Sequence, residues 1–247
     1  MSALASQTQE ESKLELVIPL FNEEHNVTPL IEDFEFSGIL KSGLTKVILV
    51  NNGSTDNTGA VINGLARSRP WILPIHLREN QQYGGGVHLG LKRTSADFVG
   101  YLPGDHQISA ADVKRVWLEL KAYAKLNPEK SYLAKGRRQV RMDSHSSRLT
   151  SQMYTKLSNQ LLELESKDVN GLPKIFHRSL LDHLPINPMK TFIFDAQLLL
   201  TARNQGFETI EIPVTFHARQ EGVSSWSGKR IRTYADTFRK LLELRRS

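Results

Sequence analysis

Short apolar runs alternate with amphipathic stretches of helical length along the first half of the chain. The runs are rich in β-branched and aromatic residues and comprise Leu14–Leu20, 46–50, Ile72–Leu77 and 97–102. In the stretches between them, apolar residues recur at the spacing of a helix. Strands that alternate with helices are typical of a mainly parallel sheet covered by helices on both faces. The pattern therefore predicts an open α/β fold.

Polar turns follow three of the predicted strands. They comprise residues 19–24, 51–56 and 103–107. If the three strands are parallel neighbours, the turns open at the carboxyl edge of one sheet, where open α/β folds place their ligands. We therefore expect a single polar site.

The second turn offers two side-chain amides, Asn51 and Asn52, at the end of its strand. Gly53 suits the tight backbone, and Ser54 or Thr55 is the expected N-cap of the helix that follows. Amides in this position can hydrogen-bond the edge of a nucleobase or a ribose. An ordinary capped loop between a strand and a helix is the alternative that these residues leave open.

The third turn offers a carboxylate and an amide carbonyl. In an extended segment Asp105 and Gln107 point to the same side, so both can reach one hard divalent cation, which prefers oxygen ligands. A helix cap is the alternative role for a lone aspartate in a turn.

Residues 83–90 contain four glycines whose spacing resembles a dinucleotide-binding fingerprint. A dinucleotide site requires this motif directly after the first strand of a βαβ unit, whereas here it precedes the fourth strand. We therefore reject an NAD site. The glycines are expected to let the backbone approach a ligand or a helix closely.

Composition narrows the class of protein. The chain has 247 residues, of which 39% are hydrophobic, enough for the core of one large domain. It has no cysteine, which excludes disulfides and thiolate metal ligands. The first residues lack the apolar stretch of a secretory signal, and no run reaches the roughly 18 apolar residues of a membrane span. These features predict a cytoplasmic protein, or one bound to the cytosolic face of a membrane.

The net charge of +6 collects in residues 135–141 and after residue 227. Such runs are either solvated surface or contacts with phosphate-bearing or membrane-surface partners. Over residues 231–244 apolar positions also recur at helical spacing. The pattern predicts an amphipathic helix that rests on an anionic membrane or a small membrane protein, or that packs on the domain.

Taken together, the three turns resemble glycosyltransferase family 2, whose members have the GT-A fold and transfer sugars from nucleotide donors with inversion. Residues 17–24, 50–58 and 102–107 are similar to its nucleotide-binding turn, its second motif and its metal motif. The resemblance implies Mg²⁺ or Mn²⁺ as cofactor, with Asp105 and Gln107 as metal ligands. It also implies a nucleotide-sugar site made of Pro19, Asn22, Glu23, Asn51, Asn52, Ser54, Asp56, Gly84, Gly85 and Asp105.

The second half of the chain resembles dolichyl-phosphate mannose synthases and related polyprenyl-phosphate glycosyltransferases, in which arginines hold a lipid phosphate acceptor. The similar positions are residues 136–138, Arg148, Ser151, Asn159, 168–176, 194–199, 211–214, 219–222, Ser224 and Ser225. The acceptor phosphate site that the resemblance implies comprises Arg138, Arg148, Ser151, Arg219 and Ser224. The catalytic residues that it implies are Asp105, Arg138, Arg148 and Asp195.

The chain departs from the family pattern at Asn51, Asn52 and Pro103, where the family usually has acidic residues. An asparagine carbonyl still accepts a hydrogen bond from a base, so nucleotide recognition survives with an altered preference. The missing carboxylate at Pro103 lowers the negative charge near the metal, which weakens metal affinity and leaves Asp105 and Gln107 to carry the site.

The acceptor decides whether the reaction needs a general base. A phosphate monoester is already anionic at neutral pH, whereas a hydroxyl acceptor needs a base, for which Asp168 and Asp195 are the candidates. We expect an inverting, metal-assisted transfer of a hexose from a UDP-sugar or GDP-mannose to a polyprenyl phosphate at the cytosolic membrane face. The alternatives are transfer to a hydroxyl of a cell-surface glycan, or a catalytically impaired protein that binds nucleotide sugars. No nucleic acid partner is expected.

The expected organisation is one GT-A catalytic domain over residues 1–226 and a basic amphipathic helix over residues 227–247. A further helix is predicted over residues 147–164. Within the domain, the expected parts are a disordered start (1–12), a nucleotide-binding half (13–107) and an acceptor half (108–226).

Overall fold

The computed structural model describes residues 12–218 and 230–246, and this part of the chain contains seven strands and seven α-helices. The strands are β1 (Leu14–Leu20), β2 (Leu44–Asn52), β3 (Ile72–Leu77), β4 (Phe98–Tyr101), β5 (Tyr132–Arg141), β6 (Lys174–His177) and β7 (Glu208–Phe216). The helices are α1 (Glu24–Ser37), α2 (Thr58–Ser68), α3 (Gln82–Leu91), α4 (Ala110–Leu126), α5 (His145–Leu162), α6 (Phe194–Asn204) and α7 (Arg230–Arg246).

The strands form one sheet in the order β3-β2-β1-β4-β6-β5-β7. The first four strands of that order are parallel neighbours, and β5 is parallel to β7. β6 is antiparallel to both of its neighbours, and its Phe176 lies opposite Val99 of β4 and Leu133 of β5. The prediction of a mainly parallel α/β sheet flanked by helices is confirmed, with β6 as the exception.

The core lies on both faces of the central strands. All seven residues of β1 are buried, which is why this strand is almost continuously apolar rather than alternating. Leu30 and Phe34 of α1 cover one face, together with the fully buried Trp117 of α4. The indole N–H of Trp117 donates to the carbonyl oxygen of Ser42 at 2.8 Å, so the one polar atom of this ring is satisfied.

Strand register brings the three polar turns to one edge of the sheet. Leu20 at the end of β1 lies opposite Asn51 near the end of β2, and Val17 of β1 lies opposite Tyr101 at the end of β4. Because these strands run in the same direction, the segments that follow them leave the sheet side by side. The expectation that the turns share one edge is confirmed.

Two helix starts differ from the predicted ones. α2 begins at Thr58 and no side-chain hydrogen bond caps it from Asn57, so the assignment of Ser54 or Thr55 as N-cap is wrong. The reason is that the turn extends to Asp56, whose Oδ1 accepts from the backbone N–H of Thr58 at 3.0 Å. α5 begins at residue 145, two residues before the predicted start.

The predicted terminal helix is present as α7 and packs against α5. Leu241 and Leu244 of α7 are buried, whereas Phe238 is 43% exposed. None of the described helices is long and apolar enough to cross a membrane. The disorder predicted for residues 1–12 concerns, apart from Ser12, residues outside the described part of the chain.

Candidate functional site

Hydrogen bonds join the turn after β1 to the turn after β2. The Asn22 Oδ1 accepts from the backbone N–H of Thr55 at 2.8 Å, and the Asn22 N–H donates to Ser54 Oγ at 3.1 Å. The N–H of Glu23 donates to Thr58 Oγ1 at 2.9 Å. Asn22 has a φ of +56°, in the left-handed region that asparagine tolerates better than most residues. The structure thus brings Asn22, Glu23 and Ser54 together.

Asp56 strengthens the same junction. Its carboxylate accepts from the N–H of Glu24 at 3.3 Å and from Thr58 Oγ1 at 2.6 Å. Burial pushes the pKa of Asp56 upward, but the hydrogen bonds from Thr58 outweigh it and bring the pKa below its ordinary value. Pro19 is buried within β1, directly before this junction.

The amides of Asn51 and Asn52 are engaged in hydrogen bonds within the protein. Asn51 Oδ1 accepts from the N–H of Ser54 at 3.1 Å, and Asn51 Nδ2 lies 3.2 Å from Nδ1 of His76. Asn52 is buried, and its Nδ2 donates to the carbonyl oxygen of Gln82 at 2.9 Å. Both amides therefore stabilise the backbone and side chains at this edge of the sheet. The orientation of the Asn51 amide is set by these hydrogen bonds before any ligand binds.

The start of α3 packs tightly against the segment before α6. The backbone N–H groups of Gly84 and Gly85 donate to the carbonyl oxygen of Lys190 at 2.6 and 3.2 Å. A Cβ at Gly84 would come within 2.3 Å of the carbonyl oxygen of Met189. Gly84 is therefore needed for a close approach between two backbone segments that wall the site.

The turn after β4 bends back on itself. His106 has a φ of +52°, so the expectation that Asp105 and Gln107 lie in an extended segment is wrong. The N–H of Gln107 lies 3.4 Å from Asp105 Oδ1, and the side-chain Nε2 of Gln107 donates to the carbonyl oxygen of His217 at 2.8 Å. Asp105 is 8% exposed. The amide of Gln107 thus fastens this turn to the end of β7.

The donor set at this turn fits a metal ion that a substrate would share. Within residues 12–218 and 230–246, no group of three or more histidine, aspartate or glutamate side chains is placed to hold a metal ion. Mg²⁺ commonly takes one or two carboxylates and completes its shell with water and substrate phosphates. Asp105 supplies one carboxylate at the sheet edge. One carboxylate is enough for an ion that is shared with substrate phosphates, but not for a site in which the protein alone provides all the metal ligands.

A buried phenol lies near two carboxylates of the site. Burial, and then the negative charges of Asp195 and Asp105, raise the pKa of Tyr83 well above its ordinary value. The phenol therefore stays protonated and can donate. Its hydroxyl has no hydrogen-bond partner among the described residues.

Asp195 is buried at the start of α6 and is held by two donors. Its Oδ1 accepts from the Tyr101 hydroxyl at 2.7 Å and from Lys174 Nζ at 2.6 Å. Lys174 is fully buried, and burial lowers its pKa to about 8 despite the opposing effect of Asp195. The structure therefore places Asp195 in a buried ion pair rather than at an open surface.

Arg138 and Asp168 form a bidentate pair. Arg138 Nε and Nη2 donate to the two carboxylate oxygens of Asp168 at 2.8 and 2.6 Å, and Nη2 also donates to Ser151 Oγ at 2.7 Å. Burial raises the pKa of Asp168, but the hydrogen bonds and charge of Arg138 outweigh it and lower the pKa to about 2. The structure thus joins two predicted acceptor-site residues to a carboxylate.

Arg148 contacts the end of β5 and the turn after it rather than this pair. Its Nη2 donates to the carbonyl oxygen of Arg141, and its Nε lies 3.7 Å from Asp143 Oδ1. Arg219 and Ser224, the other predicted phosphate ligands, lie outside the described residues.

A cavity of about 230 Å³ opens between β5 and α5, with Arg138, Ser151 and Asp168 in its wall. Arg137 and Lys167 also line it, and neither was a predicted site residue. The signal that pointed to Arg137 was the basic run at the end of β5. That run fits a solvated surface equally well, so the sequence alone did not distinguish the two.

The comparisons with known proteins agree with this architecture. The sequence model of glycosyl transferase family 2 matches residues 15–184. The polyprenol monophosphomannose synthase of Mycolicibacterium smegmatis is 27% identical over 224 residues, which cover 88% of this chain and 82% of the relative. The bactoprenol glucosyl transferase of Shigella phage SfX is 24% identical, covering 87% of this chain and 68% of the relative. The dodecaprenyl-phosphate galacturonate synthase of Rhizobium johnstonii is 25% identical, covering 94% and 65%.

Among solved structures, the fold is similar to glucosyl-3-phosphoglycerate synthase from Mycobacterium tuberculosis, crystallised with Mn²⁺, UDP and glucosyl-3-phosphoglycerate. The TM-score is 0.66 at 17% identity, and the match covers 94% of this chain and 78% of the other. At this identity the likeness shows the fold alone. The family match extends over more than half of the chain and includes the turns after β1, β2 and β4. The protein belongs to glycosyltransferase family 2.

Proposed function

We propose that this glycosyltransferase moves a hexose, with inversion, from a UDP-sugar or GDP-mannose to a polyprenyl phosphate. The names of three relatives contain a polyprenol, a bactoprenol or a dodecaprenyl phosphate. The observation that carries the proposal is the cavity between β5 and α5, because it joins a cationic lining to exposed apolar neighbours. A lipid phosphate has the same two parts.

Four apolar side chains close in sequence to the cavity residues are exposed. Val140, Met142, Leu149 and Met153 are each more than half exposed. They are close in sequence to residues that line the cavity, with Val140 in β5, Met142 directly after it, and Leu149 and Met153 in α5. Exposed apolar side chains gathered beside a polar pocket favour an apolar ligand or a membrane. They suit the isoprenoid chain of an acceptor whose phosphate enters the cavity.

On the donor side, Asp105 would hold Mg²⁺ or Mn²⁺ together with the diphosphate of the nucleotide sugar. When bound, the ion would neutralise the charge that develops on the leaving nucleotide diphosphate. The turns after β1 and β2 would bind the nucleotide through Asn22, Asn51 and their neighbours. Tyr83 offers a protonated hydroxyl near Asp105, placed to donate to an oxygen of the donor.

On the acceptor side, Arg138 and Ser151 would orient the phosphate, and Arg148, Arg219 and Ser224 are further proposed contributors. A phosphate oxygen attacks the anomeric carbon from the side opposite the leaving diphosphate. No proton has to be removed from this nucleophile. Both carboxylates considered as bases are paired with cations, Asp168 with Arg138 and Asp195 with Lys174, which disfavours a hydroxyl acceptor.

We further propose that the protein works as a peripheral protein on the cytosolic face of a membrane, attached to the lipid surface or to a small membrane protein. The basic outer side of α7 supports this, since Arg239, Arg245 and Arg246 are exposed. On the inner side of α7, Leu241 and Leu244 are buried, and the helix packs against α5.

The test is a transfer assay with purified protein, radiolabelled UDP-glucose or GDP-mannose, and Mn²⁺ or EDTA. Three acceptors are compared: farnesyl phosphate, farnesol and an oligosaccharide. We expect a Mn²⁺-dependent product with farnesyl phosphate and none with farnesol. Sugar transfer to the oligosaccharide but not to farnesyl phosphate would contradict the proposal, as would nucleotide binding without any transfer.

A further inference from the structure

Four cationic side chains line the cavity, and two of them, Arg138 and Arg141, are paired with carboxylates of the protein. Arg138 is chelated by Asp168, and Arg141 donates to both oxygens of Asp143 at 2.9 and 2.5 Å. Both guanidinium groups also lie over the ring of Phe216, at 5.2 and 5.8 Å from its centroid. Their charges are compensated and their positions are fixed by groups of the protein itself.

The other two cations, Arg137 and Lys167, have no ion-pair partner among residues 12–218 and 230–246. The Nε of Arg137 is buried and has no hydrogen-bond partner there either. A buried N–H without an acceptor is rare in folded proteins and is expected where a ligand supplies the acceptor. Lys167 is exposed at the mouth of the cavity, and its flexible chain can follow an incoming anion.

The cavity therefore presents two uncompensated positive charges. A phosphate monoester carries between about −1.5 and −2 charges at pH 7. We propose that Arg137 and Lys167 hold the acceptor phosphate as its dianion, with Arg137 as the deeper contact and Lys167 at the entrance. This assignment rests on the proposed function for the chemical nature of the acceptor.

Arg138 has a different role from Arg137 and Lys167 in binding the phosphate. Its Nε and Nη2 are taken up by Asp168 and Ser151, and its charge is compensated. It shapes the cavity and can donate further hydrogen bonds from Nη1, but it does not neutralise the ligand. The charge preference of the site is therefore expected to follow Arg137 and Lys167.

The experiment compares two ligands that differ by one charge, farnesyl phosphate and its methyl ester, by isothermal titration calorimetry on the full chain. Wild type is expected to prefer the monoester. Arg137→Gln and Lys167→Gln should each weaken monoester binding by roughly tenfold or more, since each loses a charge-assisted contact, and should bind the methyl ester with less change. Arg137→Lys keeps the charge and should keep most of the preference. Lys156→Gln removes an exposed cation of α5 outside the cavity and is the matched control.

The outcomes separate this inference from the proposed function. If wild type transfers sugar to farnesyl phosphate while both glutamine variants behave as Lys156→Gln does, the inference is overturned and the proposed function stands. If wild type prefers the monoester through Arg137 and Lys167 but transfers no sugar to it, the phosphate site stands and the proposed function falls. A wild-type protein that does not bind farnesyl phosphate overturns both.

Discussion

Asp168→Asn removes the carboxylate that compensates a nearly buried guanidinium. The side chains of Arg138 and Asp168 are only 11% and 9% exposed, and two of the hydrogen bonds between them measure 2.8 and 2.6 Å. Asparagine has nearly the same shape, so the packing is preserved. The variant leaves Arg138 with Ser151 Oγ and one uncharged amide oxygen as side-chain acceptors, and removes the negative charge beside it.

The size of the effect follows from the pKa of Asp168. Its value of about 2 in the folded protein, against an ordinary 3.8, corresponds to about 2.4 kcal/mol of stability. Removing one partner of a buried ion pair typically costs about 3 to 5 kcal/mol, because a buried charge is left alone. We therefore expect the free energy of unfolding to fall by about 2 to 5 kcal/mol at pH 7. Because the folded pKa is lowered, this stabilisation is fully present above pH 3.8 and is lost as the pH falls towards 2.

The assay is urea unfolding followed by tryptophan fluorescence at pH 7 and pH 5, where wild type and variant should differ by the same amount. Glu163→Gln is the matched control, because its pair with Arg203 is largely exposed and should contribute less than about 1 kcal/mol. In the double variant Asp168→Asn/Arg138→Gln, the loss should be smaller than the sum of the single losses. A loss below about 1 kcal/mol for Asp168→Asn at both pH values would refute the reasoning.

Three further predictions concern Asp105 and the terminal helix. Asp105→Asn is expected to remove the Mn²⁺ dependence of UDP binding in calorimetry, because no other carboxylate lies in the turn after β4; an unchanged dependence would contradict the metal assignment. Leu241→Ala is expected to lower the free energy of unfolding by about 2 to 5 kcal/mol, because Leu241 is fully buried in α7. Changing Arg239, Arg245 and Arg246 to glutamine should weaken co-sedimentation with anionic vesicles, by about 1 kcal/mol per arginine near the surface. Equal, salt-insensitive sedimentation of variant and wild type would leave α7 with a packing role only.

The position of the three polar turns at one sheet edge could be predicted from the sequence because its signals are local. β1, β2 and β4 are short apolar runs that end in polar turns, and parallel pairing alone brings those turns together. The contact of Asn22 with Thr55 follows from that pairing. What the local pattern could not give was the positive φ of His106, since nothing in its neighbours requires the chain to bend there.

The surroundings of β5 and β6 were less predictable because their contacts join residues distant in sequence. Arg137 and Arg138 are adjacent and chemically identical, yet within the described part of the chain only Arg138 has a carboxylate partner, thirty positions away at Asp168. The antiparallel insertion of β6 between β4 and β5 likewise depends on tertiary pairing rather than on its own residues. The sequence pattern predicts a basic run over residues 135–141. Which of its positive charges is paired with a carboxylate depends on the tertiary structure.

The same pairing bears on the choice of acceptor. A general base has to hold a proton during the reaction, and a carboxylate with a pKa near 2 holds one poorly at neutral pH. Asp195 accepts from the buried Lys174 ammonium at 2.6 Å, so this carboxylate is already engaged by a cation of the protein. For transfer to a hydroxyl, Asp168 or Asp195 would have to release its cationic partner in order to act as a base. Transfer to a phosphate needs no base and requires only cations that are not already paired within the described part of the protein. On the proposed function, Arg137 and Lys167, which have no ion-pair partner among the described residues, favour a nucleophile that arrives already charged.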